Sequence, residues 1–194
     1  AVTLALATPA QAPIIDLDTA ALNGDSDPRA GVSVGGVAYF VATTAFGAEL
    51  WRSDGTSAGT YMLKDVLPGR SGRRGSAFIR DLTVVGNQVF FAAAPSGYGA
   101  EVWVTDGTPL GTRLVRDIRR GYGSTSAVNS LISFRGKLYF VAADGQSGND
   151  LWETDGTDAG TRQVSLVSVA SPITPAAVGS NAFYFAARGA SGSE

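Results

Sequence analysis

The sequence predicts an all-β fold built from repeated four-stranded antiparallel units, and three observations predict it. The stretch "GAELWRSDGTSAGT" at 47–60 returns as "GAEVWVTDGTPLGT" at 99–112 and "GNDLWETDGTDAGT" at 148–161. The three Trp residues stand at 51, 103 and 152, steps of 52 and 49 residues. The turns that start at Asp54, Asp106 and Asp155 and the Gly-Thr pairs at 59–60, 111–112 and 160–161 keep the same step. Between these landmarks lie short runs of β-branched and aromatic residues bounded by Gly, Asn, Asp or Ser, with no sustained helical period. A period of about 50 residues falls in the range of solenoids and propellers. Four short antiparallel strands per period make one propeller blade. The expected fold is therefore a β-propeller-type array of about three complete blades, with partial ones at both ends.

The elements follow in chain order. Residues 1–12, "AVTLALATPAQA", are small and apolar and end in Ala-Gln-Ala. They read as the remnant of a secretory signal or as a disordered end, and Pro13 directly after Ala12 leaves the cleavage site open. "PIIDLD", 13–18, matches the fourth strand of a blade, with Asp16 standing where Asp65 and Asp117 stand later. With a linker it fills 13–31. Three units then occupy about 32–79, 80–129 and 130–173.

The third unit shows the plan. "SLISF" is a strand, "RGK" a tight turn, "LYFVAA" a second strand and "DGQSG" a loop. "NDLWETD" is the third strand, "GTDAG" a turn and "TRQVSLV" the fourth strand. Each second strand carries an aromatic pair: Tyr39-Phe40, Phe90-Phe91, Tyr139-Phe140, and Tyr184-Phe185 in the partial unit 174–194. There, 174–187 supply two strands and Glu194 falls at the position of Glu49 and Glu101, with no Leu-Trp after it. Such an arc leaves blade faces and edges open and is expected to self-associate through them.

Composition narrows the chemistry. The chain has 194 residues, 44% apolar and 16% charged, with a formal charge of −2. That suits a single globular domain and has the wrong sign for a nucleic-acid partner. Cysteine and histidine are both absent, which removes thiol nucleophiles, imidazole bases, disulfides and the usual zinc ligands together. No run of about 18 apolar residues offers a transmembrane helix.

The shared motif reads Glu-Leu-Trp-x-x-Asp-Gly-Thr-x-x-Gly-Thr. It resembles the ELWxxDGT repeat family of bacterial secreted and surface proteins, which often run in long tandem arrays. Copies cover 49–60, 101–112 and 150–161, with Val102 replacing Leu and Asp150 replacing Glu. The resemblance implies an extracellular repeat protein and carries no general activity with it.

Each motif has an architectural reading. Asp54, Asp106 and Asp155 accept hydrogen bonds from turn amides two residues on, Gly takes positive φ and Thr secures the loop. Trp51, Trp103 and Trp152 fill the gap between stacked sheets; the competing role is stacking on a sugar. Glu49, Glu101 and Asp150 lie two residues before each Trp, on the same strand face. A buried carboxylate needs a partner, and Arg113 and Arg162 on the following strand are the candidates. Identical acids in successive blades spread around a ring, so they do not converge as a catalytic pair. Asp25 and Asp27 beside Asn23 could hold Ca²⁺ weakly, but the loop lacks a full set of ligand spacings and reads as a polar turn.

The irregular segments are where function is expected. "LPGRSGRRGSA", "APSGYGA" and "RRGYGSTSA" bring Arg70, Arg73, Arg74, Tyr98, Arg119, Arg120 and Tyr122 to one face. Arg beside Tyr on a rigid scaffold suits hydroxyl-rich or anionic ligands such as polysaccharide. The expectation is a non-enzymatic secreted or cell-surface protein acting as a binding or adhesion scaffold for glycans or protein partners, without a cofactor or metal. A purely structural spacer in a long surface protein is the alternative, and a propeller hydrolase or lyase ranks last.

Overall fold

Glycine turns set the strand boundaries. The computed structural model describes residues 26–44, 47–66, 77–94, 99–119, 126–146, 148–164, 177–178, 181–184, 188–189 and 192–193. At the tip of the first hairpin Gly35 and Gly36 have φ of 56° and 81°, the mirror-image turn whose twist matches antiparallel strands. Arg135 and Gly136 repeat it at 48° and 74°.

These hairpins build three four-stranded antiparallel sheets. The first holds β1 (Arg29–Val34), β2 (Val37–Thr44), β3 (Gly47–Ser53) and β4 (Tyr61–Lys64) in that order. The second holds β5 (Arg80–Val85), β6 (Gln88–Ala93), β7 (Glu101–Thr105) and β8 (Arg113–Leu114). The third holds β9 (Asn129–Phe134), β10 (Lys137–Ala143), β11 (Asn149–Thr154) and β12 (Arg162–Gln163). A hairpin of β13 (Ala177–Val178) and β14 (Phe183–Tyr184) follows, then one of β15 (Arg188–Gly189) and β16 (Gly192–Ser193). The described residues contain no helix, and their strands do not close into a barrel or ring.

Two departures from expectation concern strand extent. The fourth strands of the second and third sheets span two residues each, where a seven-residue strand was expected at 161–167. The last hairpin, β15–β16, was not anticipated. The strand expected at 13–18 lies outside the described residues.

Register explains the packing. Phe40, Phe91 and Phe140 pair directly with Trp51, Trp103 and Trp152 across the second and third strands. Alternation then puts the neighbouring residues, Val41 with Leu50 and Ala92 with Val102, on the opposite face. One core joins Tyr39, Val41, Leu50 and Leu63 of the first sheet to Val89, Phe91 and Trp103 of the second. The next joins Phe90, Val102 and Val104 of the second sheet to Leu138, Phe140 and Trp152 of the third. A smaller one sets Val141, Leu151 and Tyr139 against Phe183. Each Trp face therefore looks back to the preceding sheet, and each Leu/Val face looks forward. Neighbouring sheets come closest through their first strands, β1 with β5 and β5 with β9.

Burial of the three Trp rings differs. Trp152 is 8% exposed, whereas Trp51 and Trp103 are half-buried. Trp103 stacks on Phe91 with centroids 6.3 Å apart. The ring sits toward the outer part of the interface, over a deeper Phe that is 0% exposed at Phe91 and 1% at Phe140. Trp152→Ala is accordingly expected to cost about 3–5 kcal/mol and Trp51→Ala clearly less. Equal losses in denaturant titrations of the two variants would contradict this packing order.

Candidate functional site

The repeated motif forms one turn three times over. Asp54 Oδ1 accepts from Thr56 N at 2.9 Å and from Thr56 Oγ1 at 2.7 Å. Thr56 Oγ1 accepts in turn from Gly59 N at 2.9 Å, and Thr60 Oγ1 donates to Thr56 O at 2.7 Å. Asp106 with Thr108, Gly111 and Thr112 repeats the pattern. Asp155 with Thr157, Gly160 and Thr161 repeats it again. The Thr56, Thr108 and Thr157 hydroxyls are the main reason that the three Asp carboxyls titrate below their ordinary value. The second Gly of the motif is steric. A Cβ on Gly59, Gly111 or Gly160 would lie 2.0–2.1 Å from the Asp Oδ1.

Each turn also docks on the sheet before it. A Cβ on Gly107 would lie 2.4 Å from the Tyr39 hydroxyl, and one on Gly156 would lie 3.2 Å from the Phe90 ring. The Gly107 carbonyl accepts from Arg52 Nη1 and Tyr61 Oη, both at 3.3 Å. Lys64 Nζ reaches the Thr112 carbonyl at 3.0 Å, and 52 residues later in sequence Arg116 Nη1 reaches the Thr161 carbonyl at 2.8 Å. These cations bridge sheet to sheet at corresponding positions.

Glu49 and Glu101, the carboxylates before the first two Trp residues, are internal ties, though not to the expected partners. Val66 N donates to Glu49 Oε2 at 3.1 Å. Ile118 N donates to Glu101 Oε2 at 3.4 Å, and Ser126 Oγ to Glu101 Oε1 at 2.7 Å. Both acids clamp the backbone that leaves the fourth strand. Arg113 is solvent-exposed and Arg162 pairs instead with Glu153 at 2.8 Å, together with Lys137 at 2.7 Å. The reason is reach: the acids lie near the exit end of the sheet, and the exit amides arrive there first. Burial raises Glu49 and Glu101 from an ordinary 4.5 to about 7. Glu153, hydrogen-bonded first by Lys137 and then by Arg162, is lowered to about 2. Glu49, Glu101 and Asp150 sit one per sheet and do not converge.

The end of the sheets away from the Asp-Gly-Thr turns, where these acids also lie, carries the irregular connections. Backbone bonds from Thr43 to Ser26, Ala94 to Ala77 and Ala143 to Ser126, each 2.7 Å, close that end. Just beyond each bond the first strand begins with left-handed non-glycine residues. Asp27, Phe78 and Ala127 have φ of 39°, 46° and 49°; Ala30, Asp81 and Ser130 have 53°, 59° and 58°. Three of the first strands bulge there against their neighbours. Asp27 pairs with Arg29 at 2.9 Å.

Of the expected ligand-binding residues, only Arg119 falls among the described ones. Its guanidinium lies against Gly145 in the β10–β11 loop, where a Cβ would be 2.8 Å from Nε. Arg70, Arg73, Arg74, Tyr98, Arg120 and Tyr122 lie outside the described residues, as does Asp25 of the suggested Ca²⁺ turn. Among the described residues no group of three acidic side chains could hold a metal ion, and no helix is long and apolar enough to cross a membrane. Phe78 was missed by sequence reasoning. It is 72% exposed at this end, and aligning the units would have flagged it, because its counterparts are Asp27 and Ala127.

No protein-family model matches the chain, and no curated protein does. Among solved structures, the chain is similar to the Pyrococcus horikoshii acylaminoacyl peptidase at 12% identity and a TM-score of 0.47. The likeness covers 82% of this chain and 23% of the peptidase, so the chain spans about a quarter of that protein's length.

Two expectations follow. Gly55 and Gly107 share positive φ, at 87° and 91°, but a Cβ on Gly55 meets nothing within 4 Å. Alanine at either costs about 1 kcal/mol for the left-handed backbone, and Gly107→Ala should cost more because it also pushes Tyr39. Adding Tyr39→Phe to Gly107→Ala should return part of that difference in thermal melts. The second concerns pH. An acid whose folded-state pKa is raised binds its proton longer when folded, so its contribution falls as pH rises from 4.5 and levels off above about 7. Glu101→Gln should flatten that decline in urea titrations run across the window; an unchanged slope would show that Glu101 ionises freely in the fold.

Proposed function

We propose that this chain is an arc of β-propeller blades of the ELWxxDGT type, and that it serves as a non-enzymatic binding or adhesion scaffold outside the cell. The propeller reading is supported by sheets that meet face to face and approach most closely along their first strands. Blades converging on an axis have that arrangement.

The observation that carries the binding role is a division between the two ends of the sheets. The repeated residues are consumed by turns, interfaces and ties. The non-repeated Phe78, 72% exposed in a left-handed backbone conformation, sits at the end of the irregular connections with Arg119. Backbone outliers of this kind tend to gather at ligand-contacting positions. An exposed ring and a guanidinium at the same end of the sheets suit a saccharide with carboxylate substituents, through stacking and charge-assisted hydrogen bonds. Glu49 and Glu101 do not favour a hydrolytic pair, because they lie in different sheets and each takes an amide from the exit of its own sheet.

The test is binding of the chain to immobilised neutral and uronic-acid oligosaccharides. Binding should favour the uronic-acid set, and Phe78→Ala or Arg119→Ala should weaken it about tenfold, a loss of about 1.4 kcal/mol. Thermal melts should stay near the parent's. No binding to any saccharide by the folded chain would leave the spacer as the better reading.

A further inference from the structure

We propose that Glu101 and Ser126 form a proton-operated latch between the second sheet and the entry to the third. The latch is closed while Glu101 is a neutral acid that donates to Ser126, and it loses one of its bonds when that proton leaves.

Two acceptors compete for one proton. Ser126 Oγ lies 2.7 Å from Glu101 Oε1 and 2.5 Å from the Ala100 carbonyl oxygen. A hydroxyl has one proton to give, and Ser126 is fully buried. An ionised Glu101 and the Ala100 carbonyl therefore cannot both be served. A proton on Glu101 Oε1 removes the conflict. Oε1 then donates to Ser126 Oγ, Ser126 Oγ donates to the Ala100 carbonyl, and Glu101 Oε2 still accepts from Ile118 N at 3.4 Å. In that form every polar atom of the buried cluster is satisfied.

The surroundings favour the neutral acid. Across the sheet β6 sets Ala93 against Glu101, and the first sheet brings Leu50, Leu63 and Val66 to the same interface, with Ala77 after them. The entry to the third sheet adds Ser126, Ala127 and Val128, none of them charged. The charge that acts on Glu101 is Asp117, and it repels. Arg116 reaches the Thr161 carbonyl and Asp158 instead, and Arg119 lies against Gly145. Burial raises Glu101 to about 7, so the proton leaves around neutral pH.

The junction between the first and second sheets is an internal control. Ala77 stands there where Ser126 stands: Ala94 N donates to the Ala77 carbonyl as Ala143 N donates to the Ser126 carbonyl, both at 2.7 Å. A left-handed residue follows each, Phe78 or Ala127. Glu49 takes Val66 N as Glu101 takes Ile118 N. Without the hydroxyl, Glu49 Oε1 is buried and has no hydrogen-bond partner. The sheets thus stack without a latch, and Ser126 adds one at a single junction. There Glu101 joins Ile118, which leaves the second sheet, to Ser126, which enters the third. A carboxylate is the stronger acceptor, so on ionisation Ser126 turns to Glu101. The Ala100 carbonyl is left with Val128 N at 3.4 Å, and the entry to the third sheet is held less firmly.

Amide hydrogen exchange on the whole chain, corrected for intrinsic rates, tests this between about pH 5 and about pH 9. Protection of the Val128 and Ala143 amides should fall about tenfold across that range, the worth of one hydrogen bond. Glu101→Gln should keep protection high throughout, because its amide can donate to Ser126 and its carbonyl accept from Ile118 as the neutral acid does. Ser126→Ala should fold, as Ala77 shows, with protection low and level. Ala77→Ser should give the Ala94 amide a pH dependence like that of Ala143. Level protection at Val128 and Ala143 in the parent would overturn the proposal. So would a loss of protection in Glu101→Gln at about pH 5, since Glu101 would then act through its charge. A folded Ala77→Ser chain with a level Ala94 profile would count against it too.

Discussion

The contact between a turn glycine and the second-strand aromatic of the preceding sheet constrains most of what repeats in this chain. For the turn to lie that close, its backbone must be thin where it touches, which demands Gly107 and Gly156. For it to hold that shape without tertiary help, Asp106 and Asp155 must cap it from within, and the carboxylate then fills the space where a side chain on Gly111 or Gly160 would go. The closing Thr carbonyl is thereby aimed outward, at the height where Lys64 or Arg116 of the preceding sheet can reach it. Asp, two Gly and the Thr residues are thus fixed by one docking event. Lys and Arg exchange freely at the cationic position because a single donor to a carbonyl suffices there.

The same constraint decides which parts of the fold are legible in the sequence. Strand boundaries were readable at the hairpins, where Gly35-Gly36 and Arg135-Gly136 punctuate the runs. The Asp-Gly-Thr turn was readable because its chemistry is local. The direction of each Trp was not, since alternation says only that Trp51 and Leu50 face opposite ways. Which face meets which neighbour depends on the handedness of stacking. The partners of Glu49 and Glu101 were also illegible. They are backbone amides 17 residues away, joined at Glu101 by the Ser126 hydroxyl; an amide leaves no mark in a sequence, whereas the Arg residues that drew the expectation do. Most of the candidate ligand residues fall outside the described chain, and Phe78 was hidden for the opposite reason: a lone aromatic beside a strand looks like core.

The buried acids bear on how rigid the end that carries the irregular connections can be. Glu49 is fully buried, with Val66 N on Oε2 and no hydrogen-bond partner for Oε1 among the described residues. Glu101 has a donor on each oxygen. A carboxyl with one unfilled oxygen in an apolar setting favours its neutral form, and in that form it can still accept from Val66. The clamp therefore survives protonation. What changes with pH is the cost of keeping a charge inside, which Asp65 and Asp117 nearby increase for Glu49 and Glu101 respectively.

Strain at the far end completes the division between scaffold and surface. Six non-glycine residues hold left-handed conformations at two equivalent positions of each sheet, and such residues persist only where the surroundings over-determine them. Here the over-determination is visible. One position lies just after the residue bonded back to the end of the second strand, and the other lies in the bulge of the first strand. Because the same backbone conformation recurs in all three sheets whatever the side chain, Asp27, Phe78 and Ala127 can differ without disturbing the sheets. That is the condition under which a repeat protein can diversify a surface while its turns and interfaces stay the same. Phe78 is what such freedom looks like in one unit.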